Sequence, residues 1–344
     1  CALGSRASRG AVAAMFDTIL SYVLYPVSFL TVPNSQYFLP TYIASAFFGV
    51  LLLMLIKRRM FGLPQIKRIL WPSRLMQHAS TRLDVKLFFL GAYYLLLQAV
   101  MVGGMTFLSV DATVAALNSL TGFRPSPIGP SWAVTGITML LVFLAVEFGY
   151  WFAHFMMHRI PALWEFHKVH HSAEVLTPIT EWRQHPVELA LFPILMGLVS
   201  SLVQGPMVWY FGATAQVVDP VHANLISMAF WYTTVHLRHT ELPIYVSGWM
   251  AKLIQTPAHH QVHHSIDPRH YDKNMGYCLS LFDWLFGTLY IPSKDEKLSY
   301  GLGHQDTALE TAVGSLVAPF GRAFAILAKP LRRRPETKPL PAAE

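Results

Sequence analysis

Residues 133–171 read AVTGITMLLVFLAVEFGYWFAHFMMHRIPALWEFHKVHH, and this stretch decides the fold. Its first part is apolar over more than the ~20 residues that a helix needs to cross a bilayer. It ends in His154 and His158, and a second cluster follows directly at His167, His170 and His171. Imidazole is the commonest neutral metal ligand in proteins. A membrane helix that ends in histidine clusters predicts a metal site at one surface of the bilayer.

A third cluster, at His260, His263 and His264, repeats the spacing of the second. On a helix, residues three or four apart share a face, so each cluster can present several imidazoles to one metal. Adjacent histidines point about 100° apart, so they can reach different metals. An HxxxH pattern and two HxxHH patterns in one chain make chance a poor explanation. The eight histidines are therefore candidate metal ligands.

The composition fits a membrane protein with nitrogen ligands. The chain has 344 residues, of which 53% are hydrophobic and 13% charged, whereas soluble domains carry about 25% charged residues. Sixteen histidines accompany only 2 cysteines, which excludes a disulfide scaffold and a thiolate metal cage. The net charge of +7 is concentrated in a few loops, so it indicates membrane orientation rather than nucleic-acid binding.

Apolar segments predict four to six membrane helices. Residues 12–33 form either a first span or an interfacial helix, because Asp17, Pro26 and Pro33 interrupt them. The last segment contains Asp219-Pro220 and His222, so it is expected to be broken or re-entrant. The stronger candidates are Thr41–Ile56, Val85–Phe107, Ala133–Phe155, Val187–Tyr210 and Ala213–Val235.

Charge predicts the topology. The Lys57–Lys86 loop is rich in lysine and arginine, and such short loops stay in the cytoplasm. Pairs of crossings then return the chain to the same side, so all three histidine clusters are expected on the cytoplasmic face. Leu242–Gln255 and Thr311–Lys329 are expected to lie at the surface as amphipathic helices. Residues 331–344 are typical of a disordered basic tail.

The predicted fold is therefore all-α: a multi-span membrane helix bundle under a cytoplasmic helical cap that holds a di-metal histidine site. We divide it into N-terminal membrane segments with the basic loop (1–132), a domain that carries the site (133–310), and an amphipathic segment with the tail (311–344).

The clusters and their surroundings resemble the fatty acid hydroxylase/sterol desaturase superfamily of membrane di-iron proteins. The matching stretches are EFGYWFAHFMMHR, EFHKVHHSAEVLTPITEWRQHPVE, LRHTELP and TPAHHQVHHSIDPRHYDKNMGYCLSLFDWLFGTLYIP, which lie within residues 135–293. The resemblance implies two iron ions that activate O2 as co-substrate, with electrons from an external donor. It adds His185 and His239 to the ligand set, and it suggests Asn274 as a supporting amide. Asp272 is expected to pair with a histidine or with Arg269.

Glu147 lies seven residues before His154, on the same helix face. A carboxylate inside a membrane helix is costly and needs a donor, so we expect it to accept a hydrogen bond from a ligating histidine. His236 and His259 precede His239 and His260 and compete with them for the assigned positions. His222 and His304 are expected to be non-ligands.

The expected function is O2-dependent hydroxylation of a lipid C–H bond, with a fatty acyl, sterol or polar-lipid substrate that enters from the bilayer. Desaturation stays open, as does pterin-dependent cleavage of ether lipids, because Glu241 follows His239 as it does in the ether-lipid branch. A non-catalytic membrane metal-binding or scaffold protein is the alternative of another class. Haem binding would not need two HxxHH motifs, and a metal transporter would place its ligands near the midplane.

No nucleotide-binding loop is evident, so a separate reductase is the expected partner; residues that bind other cofactors and the oligomeric state are unassigned.

Overall fold

The computed structural model describes residues 39–123, 125–126, 129–217, 224–242, 244–293 and 296–329. This part of the chain is helical and has no strands, only isolated bridges between Ile254 and Leu279 and between Ser265 and Tyr300. The all-α prediction is therefore confirmed. The predicted segment 12–33, the tail 331–344, Asp219-Pro220 and His222 lie outside the described residues.

Eleven α-helices are present in the described ranges. They are α1 (Leu39–Lys57), α2 (Leu63–Leu70), α3 (Ser73–Met76), α4 (Ala79–Thr121), α5 (Trp132–Arg159), α6 (Pro161–His171), α7 (Pro186–Phe211), α8 (Leu225–Trp231), α9 (Pro257–His263), α10 (Leu281–Phe286) and α11 (Ala312–Leu327). Short 3-10 turns lie between them, at Pro178–Trp182, Gly212–Ala215, Val235–Leu237, Gly248–Lys252, Pro268–His270 and Thr307–Glu310.

Three helices in the described part are long and apolar enough to cross a membrane: Leu39–Lys57, Trp132–Arg159 and Pro186–Ala215. They confirm three of the predicted spans. The predicted span Val85–Phe107 falls within the 43-residue α4, and the side chains of residues 92–108 lie outside the description, so this span stays a prediction. Ile43, Phe47 and Leu55 on α1 are 61%, 71% and 66% exposed, as expected for side chains that face lipid.

The long helices approach one another closely at two glycines. A Cβ at Gly149 of α5 would lie 2.8 Å from the Cα of Met196 in α7. A Cβ at Gly205 of α7 would lie 2.6 Å from the Cβ of Thr113 in α4. Small residues let helix backbones pack at short range inside a membrane, where lipid offers no hydrophobic drive for association. α7 is thus packed between α4 and α5.

The cap covers the ends of α5 and α7. Met157 at the end of α5 and Phe192 near the start of α7 form one buried cluster with Phe166 of α6 and Ala323 of α11. α11 buries Ser315, Pro319 and Ala323 and exposes its other side, as predicted for a surface helix. This arrangement closes the space into which the histidine motifs point.

One predicted element is wrong, and a second is broken as expected. Leu242–Gln255 is not an amphipathic helix: among its described residues only Gly248–Lys252 is helical, as a 3-10 turn. The turn begins at Gly248, whose φ of 66° does not continue a helix from the preceding residues. Ala213–Val235 is not a continuous helix either. Its described residues form only short helices, in keeping with the expected break.

Candidate metal centre

The three histidine motifs lie on three elements that meet beneath the cap. His154 and His158 occupy the last turns of α5. The second cluster lies on α6, which begins at Pro161 directly after α5 ends. The third lies on α9, a short helix that begins at Pro257 and is followed by His264. Proline at the first helical position fixes the backbone for the helix start at no hydrogen-bonding cost. Both short helices therefore begin a few residues before their histidine motifs.

The first group joins five histidines from all three elements. Their ligand atoms lie within 4.8 Å of one another. His167 Nε2 is 3.0 Å from His154 Nε2 and 3.2 Å from His171 Nε2. The buried Nε2 atoms of His158 and His263 have no hydrogen-bond partner. The members are His154, His158, His167, His171 and His263.

The second group joins four buried histidines around His239. The Nε2 atom of His239 lies 3.1 Å from that of His170, 2.9 Å from that of His260 and 3.1 Å from that of His264. His239 therefore lies in the second group, beside the histidines that the sequence motifs predicted. The two groups adjoin, because His171 stacks on His264 with ring centroids 4.6 Å apart.

One loop orients three rings of the first group. His263 Nδ1 donates to the carbonyl of Lys273 at 2.8 Å, and His154 Nδ1 donates to that of Met275 at 2.8 Å. His158 Nδ1 lies 3.5 Å from Asp272 Oδ1. The expected pairing of Asp272 with a histidine is thus observed, whereas its cationic partner is Arg159, at 2.7 Å.

Asn274 supports this loop rather than a ring. Its side-chain amide donates to the carbonyl of His259 at 3.0 Å and accepts from the Tyr290 N–H at 2.8 Å. Asn274 has a φ of 58° and Asp272 one of 56°, a left-handed conformation that asparagine and aspartate tolerate best among side-chain-bearing residues. The amide therefore ties the loop to α9.

Glu181 is the central carboxylate of the second group. Its Oε2 lies 2.9 Å from His239 Nδ1, and Arg238 Nη2 donates to its two oxygens at 3.0 and 3.1 Å. Burial raises the pKa of Glu181, but the Arg238 guanidinium and the His239 hydrogen bond outweigh it and hold the pKa below its usual range. Glu181 is thus ionised and fixes the orientation of His239. The sequence reasoning missed it.

Two further acidic residues that the sequence reasoning missed support the site. Glu188 of α7 lies 3.0 Å from His167 Nδ1. Asp84 of α4 lies 2.7 Å from Arg183 Nε, and the Arg183 carbonyl accepts from His170 Nδ1 at 3.3 Å. The long helices α4 and α7 therefore support the two histidine groups through these acidic residues.

The ring tautomers fit a bound cation. A backbone carbonyl only accepts hydrogen bonds, so the Nδ1 atoms of His154, His170 and His263 carry protons. In each neutral ring Nε2 then has no proton, and its lone pair faces the neighbouring imidazoles. Burial and neighbouring imidazoles lower the pKa of His170 and His263 well below the usual value, which keeps the rings neutral. Converging lone pairs repel one another unless a cation lies between them, so the residues present fit metal ions.

Two expectations fail on the structure. His185 lies in neither group: it caps α7, accepting from the Val187 N–H at 3.1 Å, and its Nε2 donates to the Leu316 carbonyl at 3.0 Å. Glu147 does not contact a histidine. Its Oε2 accepts from the backbone N–H groups of Cys278 and Leu279 at 2.9 and 2.8 Å, because the segment after Met275 lies across α5 and needs an acceptor there.

The competing histidines lie outside both groups. His259 Nδ1 is 2.7 Å from Thr256 Oγ1, and His236 Nε2 is 2.8 Å from Thr41 Oγ1. His304 is exposed, with Nδ1 donating to the Leu302 carbonyl. The geometry thus favours His239 over His236, and His260 over His259, as candidate metal ligands.

Residues 139–288 match the family model described as fatty acid hydroxylase. The chain therefore contains a fatty acid hydroxylase domain at residues 139–288, as the resemblance implied. It is 34% identical over 173 residues to alkylglycerol monooxygenase from Xenopus tropicalis, covering 50% of this chain and 34% of that protein. The human protein of the same name is 31% identical over 173 residues, covering 50% and 35%.

Ornithine lipid hydroxylase from Rhizobium tropici is 27% identical over 225 residues, covering 64% of this chain and 60% of that protein. The matches to the two alkylglycerol monooxygenases span only about a third of the length of those proteins. No solved structure matches the chain significantly.

Proposed function

We propose that this chain is a membrane-bound di-iron oxygenase that hydroxylates a C–H bond of a lipid. The observation that carries the proposal is the pair of adjoining groups of buried imidazoles, nine in all, at the ends of two membrane helices. The fatty acid hydroxylase domain and the lipid monooxygenase and hydroxylase names of its relatives support the substrate class.

Iron suits this ligand set and this reaction. The described metal groups contain only imidazole, and such sites accept several first-row metals, so reactivity rather than affinity distinguishes them. Zinc has no redox chemistry. When bound, two iron ions would supply the activation of O2 and the oxidising power that an unactivated C–H bond requires. The nine grouped histidines would hold them.

The protein's own residues fix the site and keep it dry. The Lys273 and Met275 carbonyls and the Glu181 carboxylate hold rings in one orientation each, which limits the reorganisation needed during reaction. Phe192 of α7 packs against the first group, with its ring 5.6 Å from that of His154. Tyr150 lies 4.8 Å from Phe192. In our proposal these two rings exclude water on the side from which an alkyl chain would approach.

The reaction balances with an external electron source. One O2, two electrons and two protons convert a C–H bond into C–OH and release one water. The electrons come from a separate reductase in our proposal. The basic Lys57–Lys86 loop supports a cytoplasmic position for the cap, where soluble reductases are available.

Ether-lipid oxidation is the second candidate. The alkylglycerol monooxygenases match with 34% and 31% identity, and Glu241 stands two residues after His239, as the resemblance to that branch implied. Hydroxylation of the carbon beside an ether oxygen gives a hemiacetal, which breaks down to an alcohol and an aldehyde. Desaturation of a lipid by the same centre is a third possible outcome.

Mass spectrometry of membrane lipids separates these reactions. Cells that express the chain are grown under 18O2 beside cells that express the His264→Ala variant. A lipid that gains one 18O only with the intact chain supports hydroxylation. Loss of an ether lipid with a labelled aldehyde supports the second candidate, and loss of two hydrogens without label supports desaturation. Identical lipids in both strains would contradict the proposal.

A further inference from the structure

Residues 57–74, which we call the basic segment, form a cationic and apolar surface that the histidine site does not use. The segment begins at the last residue of α1 and contains α2. It carries six basic residues and no acidic one: Lys57, Arg58, Arg59, Lys67, Arg68 and Arg74. All six are exposed. The site chemistry leaves this concentration of charge unexplained.

The same segment exposes large apolar side chains. Met60 is 83% exposed, Leu63 81% and Trp71 64%. Leu63 and Leu70 are seven residues apart on α2, so they lie on one side of the helix. α2 buries none of its residues. Water is a poor environment for so many apolar groups in one short segment.

The other side of α2 is attached to the protein. Ile69 and the preceding Phe61 pack against the buried cluster formed by Leu53 of α1, Leu237 and Ile244. The attachment fixes α2 beside the end of a membrane span. Its exposed side therefore lies near the end of α1.

We propose that the basic segment lies on an anionic lipid leaflet, with Leu63, Leu70 and Trp71 inserted among the headgroups. Apolar side chains beside lysine and arginine are typical of helices that lie in the bilayer interface. Anionic leaflets attract basic segments next to a membrane span. A soluble acidic protein would satisfy the charges but would not favour the exposed apolar groups at the end of a span.

The segment also connects this surface to the cap. Arg74 Nη2 lies 2.9 Å from Glu241 Oε2, and Glu241 follows His239 by two residues. Contact with the leaflet would thus hold the chain next to the second histidine group. The lipid surface would position the cap as well as carry the substrate.

Cysteine accessibility in the full chain tests the proposal. Leu63→Cys is introduced into a Cys1→Ser background, in which the remaining Cys278 is 1% exposed. The protein is reconstituted in nanodiscs of phosphatidylcholine alone or with about 30% phosphatidylglycerol. We expect maleimide labelling to slow about 5- to 30-fold in the anionic discs. Ser299→Cys, an exposed position in the cap, should label equally in both.

Charge removal provides the second arm. Lys67→Gln with Arg68→Gln, in the Leu63→Cys protein, should abolish most of the lipid effect. The matched variant Lys297→Gln with Lys329→Gln removes two exposed lysines from other elements and should retain it. Equal labelling of Leu63→Cys in both kinds of disc would overturn the proposal. So would an equal loss of the lipid effect in the two double variants, because the attraction would then depend on net charge alone.

Discussion

Replacement of Glu181 by glutamine tests how the second histidine group is supported. The carboxylate accepts from His239 Nδ1 at 2.9 Å and from Arg238 Nη2 at 3.0 and 3.1 Å. Arg238 is only 2% exposed, so the substitution leaves a buried guanidinium without its counter-charge. Glutamine has one acceptor oxygen and therefore cannot serve both partners as the carboxylate does.

The expected losses follow from these contacts. Breaking a buried ion pair from one side typically costs 3–5 kcal/mol; since glutamine keeps one acceptor, we expect the metal-free protein to lose about 3 kcal/mol of unfolding free energy. Loss of the partner of a ligating histidine typically lowers metal affinity about 10- to 100-fold. The second effect should be measurable even where detergent stabilises the fold.

The assay measures metal retention and thermal unfolding of purified protein during dialysis against a weak chelator. Glu174→Gln is the matched control, because Glu174 has the same charge and its side chain is 66% exposed. We expect Glu181→Gln to lose metal from one group first and the control to behave like the unchanged chain. Full metal retention with unchanged unfolding in Glu181→Gln would refute the role that we assign to this carboxylate.

Three further predictions concern other parts of the molecule. His185→Asn should keep the metal content unchanged, because asparagine also caps helices, whereas His264→Ala should lower it in metal analysis. Gly149→Ala should destabilise the protein by about 1–3 kcal/mol in thermal unfolding, since its Cβ would lie 2.8 Å from the Met196 Cα; unchanged stability would contradict the close packing. Acidification below about pH 6.5 should release metal and destabilise the metal-free protein, because burial lowers the pKa of His170, His260 and His264 in the folded state while the unfolded chain takes up the protons. Stability should thus be fully present above that pH and fall as the pH falls; a flat unfolding profile between pH 7 and 5 would contradict it.

The histidine groups were predictable because most of their members lie close together in the sequence. Spacings of three and four residues place rings on one helix face, and the repeated motifs identify all members except His239, which came from the resemblance. The ends of the apolar runs also predicted α1, α5 and α7 to within a few residues.

The supporting residues were not predictable, because their partners are distant in the chain. Glu181 meets Arg238 and His239 only after the chain has crossed α7 and returned. Asp84 and Arg183 are also distant in the chain, 99 residues apart. No spacing rule joins such positions, since only the packed fold brings them together.

Local rules also misassigned roles where a backbone group was the partner. Glu147 has the right helix face but serves the N–H groups of Cys278 and Leu279, which a sequence pattern does not reveal. His185 carries the expected residue type, yet its position before Pro186 makes it a helix cap. Both cases show that buried backbone groups compete with side chains for polar partners.

The most direct test of the account is the metal stoichiometry of the purified chain, measured by elemental analysis against protein concentration. The account predicts about two ions per chain, iron in active preparations, with about one ion left when His260→Ala and His264→Ala together remove half of the second group. Zinc in place of iron would still fit the imidazole sites. A chain with every histidine intact that binds no metal after growth in iron-rich medium would contradict it.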